Sequence, residues 1–182
     1  MSRTPRSGRS HAAPRDEVDA IIDAWARERP DLDVSTVGVV SRVTRLASRF
    51  TAVMEETFAA HGLTKATFEA LAALRRAGAP YLMSQTELMR ALSLTPGTVS
   101  ARIDRLVTDG LVEREARPDD RRTVLVRLTP RGVAAFEDVV HAHLETERRL
   151  LRALDEAERE VLAGLLRRLL LDTASGDRGR TS

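Results

Sequence analysis

A chain of 182 residues is long enough for one well-packed domain, and the absence of cysteine excludes disulfides, thiolate metal sites, cysteine nucleophiles and thiol-based redox sensing. A formal net charge of +2 excludes a polycation that coats nucleic acid unselectively, so any DNA binding must come from local clusters. Aromatic residues make up only 3%, Ala, Leu and Arg dominate, and Lys65 is the sole lysine, a composition suited to helices and to forked recognition of planar anions.

The chain opens on a basic arm, residues 1–15, with Arg3, Arg6, Arg9 and Arg15 and no apolar period, which reads as disordered. It lacks the apolar core of a secretory signal, and the most apolar run of the chain is broken by Arg167 and Arg168, so no membrane span is expected and a cytoplasmic location follows. From Asp16 to about Glu28 an amphipathic helix carries Val18, Ile21, Ile22 and Trp25 on one face. A long periodic segment from about Thr36 to His61 repeats apolar residues at Val40, Val43, Leu46, Phe50 and Phe58, and Gly62 stops it. Thr64 caps the next helix, whose stripe is Phe68, Leu71 and Leu74.

The centre is more specific. Tyr81 to Met83 reads as a short strand, and Ser84 with Glu87 forms a capping box that opens a short helix. After a turn at Ser93-Leu94, Thr95 caps a second helix with Pro96 at its first position, where the missing N–H costs nothing. That helix buries Val99, Ile103 and Leu106 and ends before Gly110. Two short helices joined by a tight turn make a helix-turn-helix. The helical period is then lost: Leu111–Ala116 and Thr123–Leu128 read as strands joined by a charged turn, Arg117 to Arg122, and together they form a wing. Thr129-Pro130 starts a helix running to about Leu154, Asp155 with Glu158 opens a last leucine-rich helix, and residues 173–182 form a disordered polar tail.

The fold class is therefore mainly α: a winged helix-turn-helix, about residues 64–129, with a helical dimerisation region formed by N- and C-terminal helices, about 16–61 and 130–171. The terminal stripes are too long for the central module to cover, so a homodimer is expected; a monomeric helical bundle is the alternative. The residues placed to touch double-stranded DNA are Pro96, Gly97 and Thr98 at the start of the recognition helix, then Ser100, Arg102 and Arg105. Backbone amides around Gly97 and Thr98 suit a phosphate, and Arg121 and Arg122 at the wing tip suit a narrow minor groove.

Leu111-Val112 with Arg114, then Asp120-Arg121-Arg122, then Val126-Arg127-Leu128-Thr129 and Gly132 resemble the wing signature of MarR regulators over roughly residues 36–171. The resemblance implies a triangular dimer on a pseudo-palindromic operator, with half-sites about 34–36 Å apart. The helix carrying Trp25, the run Leu71 to Gly78 and Arg102-Ile103-Asp104-Arg105-Leu106 further resemble the urate-responsive branch of that family. Residue by residue the resemblance implies a ligand site of Trp25, Arg102 and Arg114, with Glu69 where the branch has an aspartate. That departure keeps the charge and adds a methylene, and the effector it implies is a small anion, urate or a related compound, that relieves repression. Two guanidiniums suit a planar anion and an indole suits its face.

Enzyme chemistry is not expected. His11, His61, His141 and His143 are scattered, the last two are two apart on a helix and share no face, and no phosphate-cradling loop, nucleophile motif, metal set or cofactor motif appears. The remaining alternative is a winged helix used for protein–protein contact without specific DNA binding.

Overall fold

The computed structural model describes residues 14–116 and 123–178, with side chains through Thr173. It divides into two compact units, Met1–Thr51 and Ala52–Ser182, each treated by itself. No helix among the described residues is long and apolar enough to cross a membrane.

In the first unit, α1 (Glu17–Glu28) lies with the first part of α2 (Val37–Ala60). The Asp16 carboxylate accepts from the amides of Val18 and Asp19, and Asp19 accepts in return from the Asp16 amide, a reciprocal cap. Arg42 of α2 donates to both, at 2.7 Å to Asp16 and 2.9 Å to Asp19, while Glu17 receives Arg49 at 2.7 Å. Val18 is the buried apolar residue of α1, whereas Trp25 stays 44% exposed. Val39, Val40, Val43 and Leu46 of α2 are likewise exposed.

The Arg42 guanidinium holds the Asp16 carboxyl well below the usual carboxylate range. Because the folded value is depressed, its contribution to docking α1 is full above the ordinary value of 3.8 and fades as pH falls from there through the folded value. In Arg42→Ala the carboxyl returns toward its ordinary range, so the acid transition of Trp25 fluorescence is expected at higher pH than in the wild type. Coincident titrations of the two proteins would refute this role for Arg42.

The second unit holds the remainder of α2, then α3 (Lys65–Arg76), β1 (Leu82–Ser84), α4 (Gln85–Ala91), α5 (Pro96–Thr108), β2 (Val112–Ala116), β3 (Val124–Leu128), α6 (Pro130–Leu150) and α7 (Glu156–Arg178). The strands form an antiparallel sheet in the order β1-β3-β2, with Met83 opposite Val126 and Val112 opposite Leu128. The helix starts follow local chemistry: Thr64, Ser84, Thr95 and Thr129 each accept an amide of the first turn, and Ser84 completes its box with Glu87.

Leu71 and Leu74 of α3, Leu88 of α4, Val99, Ile103 and Leu106 of α5 and Val126 of β3 form one core, each at most 1% exposed. This core seats the recognition helix α5 on α3, α4 and the wing strands. A second cluster stacks Phe58 on Phe68 with ring centroids 4.6 Å apart. His143 completes it, 4.5 Å from Phe68, and so serves packing.

The turn out of α5 is built tightly. Gly110, at φ +69°, takes the left-handed position that ends the helix; its amide reaches Val107 O and the Leu111 amide reaches Leu106 O. The Thr129 hydroxyl donates to Gly110 O at 2.7 Å, so the start of α6 is fastened to the end of the recognition helix.

Two boundaries depart from the sequence reading. Helix α6 ends at Leu150 rather than near Leu154, because a turn closed by the Leu154 amide on Leu151 O leads into the Asp155 cap. Helix α7 runs on to Arg178 where a polar tail was expected from Thr173; the Thr173 hydroxyl returns to Leu169 O and Leu170 O and so does not compete for backbone outside the helix.

Candidate nucleic-acid interface

Helix α5 begins with Pro96, Gly97 and Thr98, all exposed, and Ala101 and Arg105 are exposed further along while Ser100 is half-buried. The buried stripe Val99, Ile103 and Leu106 fixes which face looks outward. At the start of the helix, Thr95 Oγ1 accepts the Thr98 amide and its hydroxyl pairs with that of Thr98 at 2.8 Å. One of the amides expected to receive a phosphate is therefore already engaged by the cap. A Cβ at Gly97 would meet nothing within 4 Å, so a backbone or phosphate can approach closely there. Arg121 and Arg122, with Asp120, lie outside the described residues.

Arg102 is turned differently from its neighbours on α5. Its side chain is only 18% exposed, and Nη1 stands 3.5 Å from Glu69 Oε2 on α3, close enough to pair but without a hydrogen bond. Glu69 is also held by Lys65, one turn earlier on the same helix. Glu55, Ala59, Leu63, Thr64, Lys65, Ala66, Glu69 and Arg102 line an open cleft of about 520 Å³. Its lining thus offers two cations, Lys65 and Arg102, the latter with a buried guanidinium N–H that lacks an acceptor, and two carboxylates, Glu55 and Glu69, a set of groups able to take a small planar anion that also presents an N–H or O–H.

Of the four residues drawn from the family resemblance, the structure brings Glu69 and Arg102 into this cleft. Arg114 on β2 instead pairs with Asp104 of α5 at 2.7 Å, tying the wing to the recognition helix. Trp25 belongs to the first unit. Lys65 and Asp104 were missed by sequence reasoning. The i, i+4 spacing of Lys65 and Glu69 was a legible signal, whereas Asp104 and Arg114 meet only because α5 and β2 pack together. Among the described residues no group of three or more His, Cys, Asp or Glu side chains is arranged to hold a metal ion.

Residues 61–123 match the sequence model of the MarR family. The chain is 37% identical over 153 residues to the HTH-type transcriptional regulator PecS of Dickeya dadantii (strain 3937), covering 84% of this chain and 92% of that protein. It is similar to the solved structure of BpsR from Bordetella bronchiseptica, described as regulated in its DNA binding by 6-hydroxynicotinic acid, at 32% identity and TM-score 0.64, over 72% of this chain and 98% of that one. It is also similar to a mutant MarR from E. coli complexed with operator DNA, at 27% identity and TM-score 0.68, over 76% of this chain and 99% of that one.

Proposed function

The chain belongs to the MarR family of winged-helix transcription regulators, and on that premise we propose that it is a homodimeric repressor released from a pseudo-palindromic operator by a small planar anion. The observation that carries this reading is the division of labour on α5. Pro96, Gly97, Thr98, Ser100 and Arg105 face outward or stand at the helix start for DNA, while Arg102, one turn along, is turned into a cleft against Glu69. Arg121 and Arg122 at the wing tip complete the DNA contacts. The exposed apolar faces of α2 (Val39, Val40, Val43) and of α7 (Val161, Leu165, Leu169) are the surfaces a second copy covers.

In this mechanism the anion draws on Arg102 and Lys65 and is repelled by Glu69. A ligand that separates Arg102 from Glu69 changes the energy of the recognition helix in its DNA-bound pose, so ligand and DNA disfavour each other by the same factor. Arg114, through Asp104, transmits the displacement to the wing. Trp25 enters by the family resemblance alone. Urate and 6-hydroxynicotinate, the latter named for BpsR, are both planar anions with ring N–H or O–H groups and are suitable first probes.

Fluorescence anisotropy on DNA from upstream of the protein's own gene tests the reading. Tight binding that weakens steeply with salt, with a slope of about −0.9 per phosphate contacted, is expected, and one of the planar anions reverses it. Binding indifferent to every anion removes the ligand site, and no binding favours a protein-contact module. Glu69→Gln keeps the shape of the site and removes the repulsion. It is expected to bind the anion about tenfold more tightly in the absence of DNA while releasing DNA less completely. Equal ligand affinity in the two proteins argues against repulsion at Glu69.

A further inference from the structure

A second cleft opens at the other end of the recognition helix. It measures about 400 Å³ and is lined by residues of the α2–α3 turn, the last turns of α5 and the first turn of α6. It shares only Leu63 and Thr64 with the cleft at Glu69 and Arg102. Its ionisable side chains are Arg105 of α5, Asp109 at the C-terminal cap of that helix, Arg131 of α6 and His61.

We propose that this cleft binds the phosphate group of a small metabolite between Arg105 and Arg131, as an effector site separate from the planar-anion cleft. Three observations carry it. Arg131 forms no ion pair with any described residue, and Arg105 is held only loosely by Asp109, at 4.0 Å, so neither guanidinium is committed. Asp138, which His61 Nδ1 meets at 2.8 Å, is not among the lining residues, and Asp109 is the one carboxylate that is, set against two arginines. The charged donors come from two different helices, Arg105 from α5 and Arg131 from α6, and the hydroxyls of Thr64 and Thr67, paired with each other at 2.9 Å, line the cleft from the start of α3. A tetrahedral oxyanion satisfies donors converging from several directions, whereas a planar carboxylate is best met by a single fork.

The cleft is not a continuation of the DNA surface. A recognition helix presents its N-terminal residues to the groove, and this site stands at its C-terminal end, beside Gly110. Arg105 nevertheless belongs to both surfaces. A phosphate that recruits it withdraws a cation from DNA and clasps α5 to α6 across the Gly110 turn. This regulatory consequence rests on the proposed DNA-binding function; the binding itself does not.

Isothermal titration of the full chain without DNA, at fixed ionic strength, tests the site with ribose 5-phosphate, inorganic phosphate and citrate. Saturable binding of both phosphates, one per chain, is expected, with citrate at least tenfold weaker. Arg131→Ala is expected to lose at least tenfold in phosphate affinity and Arg131→Lys to fall between, with unchanged circular dichroism in both. Absence of phosphate binding, equal binding by Arg131→Ala, or citrate binding as tightly as phosphate overturns the proposal. In the anisotropy assay, ribose 5-phosphate is expected to weaken DNA binding by the wild type and not by Arg131→Ala. Phosphate binding without any effect on DNA overturns the shared use of Arg105 and leaves the regulator itself standing.

Discussion

Gly132→Ala is expected to destabilise the second unit by about 3 kcal/mol, at the upper end of overpacking costs, and to lower its thermal midpoint by about 6–12 °C. Gly132 sits in the first turn of α6, where a Cβ would stand 2.0 Å from Leu111 O and 3.0 Å from Leu111 C. Both atoms are backbone, so no side chain can rotate away. The same stretch of chain is fixed by the Thr129 amide on Leu111 O at 3.1 Å and by the Thr129 hydroxyl on Gly110 O, so relief requires moving the start of α6 away from the end of the recognition helix. Gly97→Ala is the control: nothing lies within 4 Å of its added methyl, and a change of no more than about 1 kcal/mol, in the stabilising direction, is expected there. Melting both variants without DNA by differential scanning calorimetry checks the pair. A Gly132→Ala protein that melts within about 2 °C of the wild type would mean that α6 does not approach Leu111 so closely.

Ile103→Ala is the second large effect. Ile103 is fully buried in the core that also holds Leu71, Leu74, Leu88 and Val126, so its truncation removes apolar contacts and leaves a cavity under the recognition helix. The expected cost is about 2–5 kcal/mol, read as a lower urea midpoint with little change in slope. Val107, four residues on and 37% exposed, is the contrasting position, where alanine should cost under about 1 kcal/mol. Equal losses at the two positions would contradict the orientation of α5. Below the melting transition the Ile103→Ala protein should also bind DNA more weakly, because the helix that reads the groove is held in place by this core.

These two sites show what the recognition helix is mounted on. The core sets its face, and the Gly110 turn with the start of α6 holds its C-terminal end. The charged pairs are separate from that mounting: neither Arg102 with Glu69 nor Arg114 with Asp104 belongs to the buried apolar cluster. A regulator needs this separation, since a ligand worth a few kcal/mol can shift an ion pair but cannot overturn a packed core.

The sequence by itself determined the order of elements and most of their ends. Caps at Thr64, Ser84, Thr95 and Thr129 and the stop at Gly110 act within one turn of chain, so residue type and spacing suffice to find them. The buried stripe of α5 was legible for the same reason, because a period of 3.6 residues leaves Val99, Ile103 and Leu106 on one side whatever they pack against. The end of α6 was not, since apolar residues continue past it at Leu151 and Leu154, and the reach of α7 was not, since its apolar period stops at Leu171 while the helix runs on to Arg178. Only the tertiary structure decided that Arg102 turns to Glu69, that Arg114 meets Asp104, that Arg105 and Arg131 line one cleft, and that Gly132 lies against Leu111. Each of those meetings depends on the angle and separation at which two elements pack, and those are set by the summed fit of the side chains between them, which no local spacing encodes.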